Sequence, residues 1–409
     1  MHKKHVVLML AALLTVTFVD TARTQVRNSV YSMFGVGELL DKSIGVNRSL
    51  GGTGIAFQSG RSINYLNPAS YLGVPPNSFI MELGAYGTFN RSENANVFQT
   101  DKRIDFGLWS ASLYCTNWWA LSLGVLPLSF VDYNVKSSEL VGGELTSMEK
   151  TFLGYGGLSQ AYLGNSFRVY GGLSAGFNVS YILGSISKTE SATFSNSAFQ
   201  YQLMNRREVT TFYLDYGLQY SMNYGGWVYT LGAVYGAGRR LGTTDSLLLS
   251  YDNATTPLEP GSQLAMGIPQ KIGLGIAVKR NDFRAGFDYR WENWSKTSLS
   301  KSVFATQNSN RFSIGVEYAP GREGDWSKAV SFRFGSYFSN SYMQVENTRI
   351  NSMGVSLGAG IPFDAITLNM SIEYGQEGTL SKGLVRNTYW VYYLSVSLHE
   401  FWSLFATEE

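Results

Sequence analysis

From residue 78 onward the chain alternates apolar and polar residues with a period of two, the spacing at which successive side chains of a strand point to opposite faces. In 283–291, Phe283, Ala285, Phe287, Tyr289 and Trp291 take one face, and Arg284, Gly286, Asp288 and Arg290 take the other. The stretch 366–374 repeats the pattern, with Ile366, Leu368, Met370, Ile372 and Tyr374 against Thr367, Asn369, Ser371 and Glu373. Turning such a polar face to lipid would cost roughly 2–4 kcal/mol for each arginine at the bilayer midplane, so the apolar face is the outer one.

The same test along the chain predicts strands at 79–89, 104–114, 118–135, 148–163, 168–186, 207–222 and 227–240. It continues with 270–280, 283–294, 309–319, 329–339, 349–361, 365–376 and 387–399. About fourteen strands, an even number, describe an all-β fold, a transmembrane antiparallel β-barrel with both termini in the periplasm. Short connections are expected at 115–117, 164–167, 223–226, 281–282, 320–328 and 362–364, alternating with long outer loops such as 90–103, 187–206 and 241–269. Aromatic pairs near strand ends, among them Trp118 with Trp119 and Trp291 with Trp294, suit the two headgroup levels.

The stretch 48–71 cannot be a strand. Gly51, Gly52 and Gly54 favour turns and close backbone approach, and Asn67-Pro68-Ala69 is a turn signal. It reads as a plug inside the barrel. The start of the chain reads as an export signal, with Lys3 and Lys4 before an apolar centre too short to span a bilayer as a helix. The predicted organisation is a signal peptide over 1–24, a plug or hatch over 25–77, the barrel over 78–402 and a periplasmic tail over 403–409.

Composition supports export to a bacterial outer membrane. The chain is 14% aromatic and 15% charged, with 44 glycines, where a soluble domain carries about 25% charged residues. Its mean hydropathy of -0.07 is what lipid-facing and lumen-facing residues produce when they cancel in any window. Removing 1–24 takes away Lys3, Lys4, Arg23 and Asp20, leaving 29 basic and 29 acidic residues and no field for a nucleic-acid partner. Cys115 stands alone, and His2, His5 and His399 form no metal-ligand spacing. With no nucleophile elbow or phosphate loop, the expectation is a non-enzyme with no cofactor and no metal.

The glycine run 51–54 leading to Asn67-Pro68-Ala69 resembles the FadL-type outer-membrane transporters of hydrophobic compounds. So do the blocks Gly156-Gly157-Leu158-Ser159-Gln160-Ala161-Tyr162-Leu163-Gly164 and Glu373-Tyr374-Gly375-Gln376-Glu377-Gly378. The resemblance covers nearly all of the expected mature chain. It implies a fourteen-stranded barrel with an N-terminal hatch, passive uptake of hydrophobic small molecules such as long-chain fatty acids, and a lateral exit at a kinked third strand. Membrane lipids and the ligand would be the partners.

Pro127 falls in the third predicted strand and removes a ladder donor, so it either helps make that lateral opening or sits where pairing has already frayed. Arg284, Arg290, Arg311 and Arg333 face the lumen in the predicted register. They are candidates for a ligand headgroup, the alternative being pairing with other wall charges or with the plug. For Asn67, Pro68 and Ala69 the alternative to ligand contact is turn formation and anchoring. Ile55, Phe57, Ile63, Tyr65 and Leu66 are the apolar hatch residues a ligand would meet, and Leu247 to Leu249 form an apolar run in the longest outer loop. A rival reading is a non-transporting barrel subunit of a larger outer-membrane protein-assembly or secretion complex, with protein partners.

Overall fold

Apolar residues that cannot meet water and polar residues that cannot meet lipid have one joint solution in strands, which is to close the sheet on itself. The computed structural model describes residues 30–33, 35–40, 45–94, 98–141, 146–194, 200–251, 254–259, 266–297, 304–320, 330–345 and 347–401. The expected export signal at 1–24 and the tail at 403–409 lie outside the described residues. Fourteen barrel strands are present among the described residues. The first seven are β1 (Ser78–Glu93), β2 (Phe98–Thr116), β3 (Trp119–Val141), β4 (Thr146–Tyr170), β5 (Leu173–Phe194), β6 (Gln200–Tyr224) and β7 (Trp227–Gly236). The others are β8 (Gln270–Arg280), β9 (Phe283–Asn293), β10 (Ser309–Tyr318), β11 (Ser331–Val345), β12 (Thr348–Phe363), β13 (Ile366–Gly378) and β14 (Arg386–Phe401). Neighbours pair antiparallel, and β1 closes on β14 from Ser78↔Phe401 to Glu93↔Arg386.

The register follows the alternation. On β6, Phe212, Tyr216, Leu218, Tyr220 and Met222 are exposed, while Thr211, Tyr213, Asp215 and Gln219 between them are buried. Beyond Phe212 the outward positions turn polar, at Thr210, Glu208 and Arg206, although the strand continues. That change marks the edge of the apolar belt. The upper parts of β3 to β6 rise past it, and a hairpin of strands Gly242–Tyr251 and Ala254–Leu258 extends this sheet by pairing with β6 from Gly242↔Thr210 to Tyr251↔Tyr201.

These extensions correct several predicted boundaries. The turn expected at 164–167 is strand, and the reversal falls at Gly171 and Gly172. Much of the loops expected at 187–206 and 241–269 is strand as well. Once both faces of a ladder meet water or protein rather than lipid, the apolar alternation ends while the hydrogen bonds continue. Most of the connection predicted at 320–328 lies outside the described residues.

Inside the barrel, residues 45–74 form two short 3-10 turns, Gly45–Leu50 and Pro68–Gly73, joined by non-repetitive backbone. Asn67 caps the second turn by accepting the Ala69 N–H at 3.0 Å, with Pro68 at its first position. Close approach to the wall depends on small residues there. A side chain at Gly176 of β5 would collide with the backbone of Pro68 and Ala69, and one at Gly164 of β4 with the Tyr71 ring.

Candidate functional site

Wall carboxylates and amides hold the lumenal segment by its backbone. Asp288 on β9 accepts the N–H groups of Gly54 at 2.7 Å and Ile55 at 2.9 Å through one oxygen. Gly51 N–H donates to Ser356 Oγ at 3.0 Å, and the Ile63 N–H to Glu82 at 3.2 Å. Asn67 Nδ2 donates to the carbonyls of Ile55 at 2.7 Å and Leu218 at 3.0 Å, tying the turn to the segment and to β6 together. Ser166 Oγ donates to the Ala69 carbonyl at 2.9 Å, and Arg48 pairs with Glu373 at 3.1 Å. Backbone groups that a loop would otherwise leave unsatisfied in a dry interior are thus met by the wall.

On the long-loop side of this segment lies a cavity of about 230 Å³. Ile55 and Leu66 of the lumenal segment line it from below. Leu128, Leu158, Ile182 and Leu241 are buried along one side, and Trp294, Tyr342 and Met343 along another. Trp294 stacks on Tyr342 with ring centroids 4.1 Å apart, its indole N–H donating to Glu292 at 2.8 Å and the Tyr342 hydroxyl to the Gly37 carbonyl at 3.1 Å. Both rings are therefore fixed in place.

The wall beside the cavity is split. β2 and β3 pair from Thr116↔Trp119 only as far as Trp109↔Val125, while beyond that β2 pairs with β1 and β3 with β4. Pro127 sits just past the last rung, where the β3–β4 register shifts between Pro127 and Ser129. A residue without an N–H belongs at an edge or a bulge, and here it has both. The open edge of β3 carries another part of the same chain. Glu38 and Leu39 pair antiparallel with Phe130 and Ser129, Leu40 N–H reaches the Leu128 carbonyl at 3.0 Å, and Ser32 bonds the backbone of Asp132. Gly37 has φ +90° and lies so close to Phe130 that a Cβ would strike its carbonyl. Across the seam, the Arg103 guanidinium of β2 lies over the Phe130 ring, 5.1 Å from its centroid. Val36, Glu38, Leu39 and Leu40 also line the cavity, so one segment touches both the cavity and the seam.

The four candidate arginines fall into two groups. Arg290 and Arg311 are cross-strand neighbours on β9 and β10, and both line the cavity. Arg311 also donates to the Gly51 carbonyl at 3.1 Å and lies over Tyr337 at 3.7 Å. Arg284 and Arg333 lie further toward the short turns and share Glu317, at 2.5 Å and 2.8 Å. Arg284 also donates to the Gln58 carbonyl at 2.8 Å and covers the Phe57 ring, and Arg333 reaches Asn369 and Ser331. Of the apolar residues expected in a hatch, Ile55 and Leu66 reach the cavity, whereas Tyr65 packs on Tyr162 and receives the Gln160 amide at 2.5 Å. Sequence reasoning missed Gln160 and Lys271, and it placed Trp294 at a headgroup level, whereas that ring is buried against Tyr342 at the cavity. Gln160 lay within a quoted block, and its polarity amid lumen-facing positions was the available signal.

A family model described as BamG matches residues 1–406. The chain belongs to the BamG family. No curated protein matches it. Among solved structures, this BamG-family barrel is similar to the Ralstonia pickettii toluene transporter TbuX at 15% identity, with 89% of this chain and 99% of that one covered and a TM-score of 0.60. It is also similar to the P. putida toluene transporter TodX at 16% identity, covering 90% and 100% with a TM-score of 0.60. A Pseudomonas aeruginosa FadL homologue matches at 14% identity over 90% and 100%, with a TM-score of 0.55. The FadL-type resemblance thus holds for the fold of this BamG-family chain.

Proposed function

We propose that this protein is a bacterial outer-membrane channel for passive uptake of hydrophobic small molecules, the class to which long-chain fatty acids belong. Residues 45–74 act as its hatch and the β2–β3 seam as its lateral exit. The observation that carries this reading is the continuity of parts: an apolar-walled cavity, a segment at 36–40 lining it, and a wall edge at 128–130 where that same segment replaces the missing ladder. A hydrophobic ligand leaving sideways enters lipid without crossing water, and its burial in the cavity gains about 25 cal/mol per Å² of apolar surface. Neither covalent chemistry nor a cofactor is needed. The solved barrels of the same fold include proteins described as toluene transporters.

A second reading, a non-transporting barrel subunit of a larger outer-membrane assembly or secretion complex, is favoured by two observations. The family that matches is BamG rather than one named for transport. The sheet of β3 to β6 with the 242–258 hairpin also rises well past the apolar belt and offers a large surface to a protein partner.

Purification from the native membrane in mild detergent, with mass spectrometry of accompanying lipids and proteins, separates the two. The channel reading expects a discrete hydrophobic ligand that disappears when Leu158→Trp fills the cavity. Stoichiometric protein partners, with no ligand enriched over bulk lipid, would overturn it in favour of the subunit reading.

A further inference from the structure

We infer that the lumen cavity takes an uncharged lipophile bearing a hydroxyl and discriminates against a carboxylate, an inference that rests on the channel reading above. Charges of both signs surround the cavity. Lys271, Arg290 and Arg311 line it, and so do Glu38, Glu292 and Glu377. Behind Lys271 stands Asp215, whose carboxylate holds the ammonium at 2.7 Å. With Asp215 included, the surroundings carry one more negative charge than positive.

These charges are also occupied. Arg311 serves the Gly51 carbonyl and the Tyr337 ring. Glu292 accepts the Trp294 indole N–H at 2.8 Å and the Ser309 hydroxyl at 3.1 Å. An incoming carboxylate would lose its hydration, meet as many anions as cations, and reach Lys271 or Arg311 only by displacing a partner already in place. A neutral ligand has none of those costs.

Gln160 supplies a polar end to the cavity. It lines the cavity and is fully buried, and its Nε2 donates to Tyr65 at 2.5 Å and to Ser180 at 2.6 Å. Its Oε1 has no hydrogen-bond partner among the described residues. A buried acceptor left unmet is costly, and a ligand hydroxyl that reaches it by a small shift of the cavity wall would satisfy it. If the amide were turned over, the orphaned group would be a donor, which a hydroxyl oxygen also satisfies. In the orientation shown, a carboxylate, which only accepts, would face Oε1 with no proton to offer; with the amide turned over, the balance of charges around the cavity is what disfavours it.

The test uses the full chain in nanodiscs, with empty nanodiscs as the blank for partition into lipid. Binding of 1-decanol, decanoate at pH 8 and decane is measured by native mass spectrometry. The expected result is decanol at least about tenfold tighter than decanoate, each tenfold being 1.4 kcal/mol of binding free energy. Gln160→Leu should erase most of decanol's advantage over decane, and its retained decane binding shows that the variant is folded. Decanoate binding as tightly as decanol would overturn the inference and leave the channel reading standing. So would a Gln160→Leu protein that binds decanol unchanged. If none of the three probes binds above the blank, the channel reading falls and this inference with it.

Discussion

The backbone N–H of Gly54 donates to the Asp288 carboxylate at 2.7 Å, and the same oxygen receives the N–H of Ile55 at 2.9 Å. Segment 45–74 thereby hangs on one wall residue at the point where it floors the cavity. Asp288→Ala leaves two buried donors unmet, at about 1–3 kcal/mol each, whereas Asp288→Asn keeps an acceptor. The alanine variant should show faster hydrogen exchange at residues 51–57 and larger single-channel conductance, with the asparagine variant between it and the parent. Equal behaviour of all three would remove Asp288 from the latch.

Gly176 of β5 gives a steric test of the same attachment. Its missing Cβ makes room for the backbone of Pro68 and Ala69, which cannot yield as a flexible side chain could. Gly176→Leu should therefore assemble as a barrel but unseat the turn Pro68–Gly73, exposing it to protease. A protease-resistant variant with parental conductance would show that the turn can shift without consequence.

The seam can be locked. Arg103 and Phe130 approach each other across it, and Cys115, the sole native cysteine, can be replaced by serine to leave a clean background. Joining Arg103→Cys to Phe130→Cys with a short thiol cross-linker should stop ligand transfer into lipid while leaving ligand in the cavity. A cleavable linker should restore transfer on reduction. Transfer that continues through the locked seam would place the exit elsewhere.

Above the apolar belt, Arg207 of β6 pairs with Asp245 of the 242–258 hairpin through two bonds of 2.5 and 2.9 Å, and both side chains are largely buried. Asp245→Ala takes the carboxylate away from the guanidinium, a loss of up to about 3–5 kcal/mol for a buried pair. The hairpin should then be cut by protease at low doses that leave the barrel whole. A pattern of fragments identical to the parent's would show that the ladder alone holds it.

The barrel was legible because lipid writes on the sequence. Phe283, Phe287 and Asp288 declare their faces, and the same test places all fourteen strands. Legibility ended where lipid ended. Nothing in the alternation distinguishes strand 187–194 from loop, since Ser187, Lys188, Thr189, Glu190 and Ser191 are polar on both faces. Gly164 misled for a related reason: a lumen-facing glycine that makes room for Tyr71 looks, in sequence, like a turn. The arginines show a third limit. Alternation sends Arg284 and Arg290 alike to the interior, but only the three-dimensional level along the strand puts one on Glu317 and the other at the cavity. Glu38 and Leu39 were beyond reach altogether, because a two-residue strand that borrows an edge has no period to detect.

The break between β2 and β3 also has a mechanical meaning. A closed tube resists twisting because stress circulates around its whole circumference, and a lengthwise slit interrupts that circuit. Among the described residues no ladder joins 98–108 of β2 to 126–141 of β3: Glu38 and Leu39 pair with β3 alone, and Arg103 reaches the Phe130 ring across the gap. Torsional compliance should therefore be concentrated in the upper half of this barrel, with the rungs from Trp109↔Val125 to Thr116↔Trp119 acting as the collar that stops the slit from running.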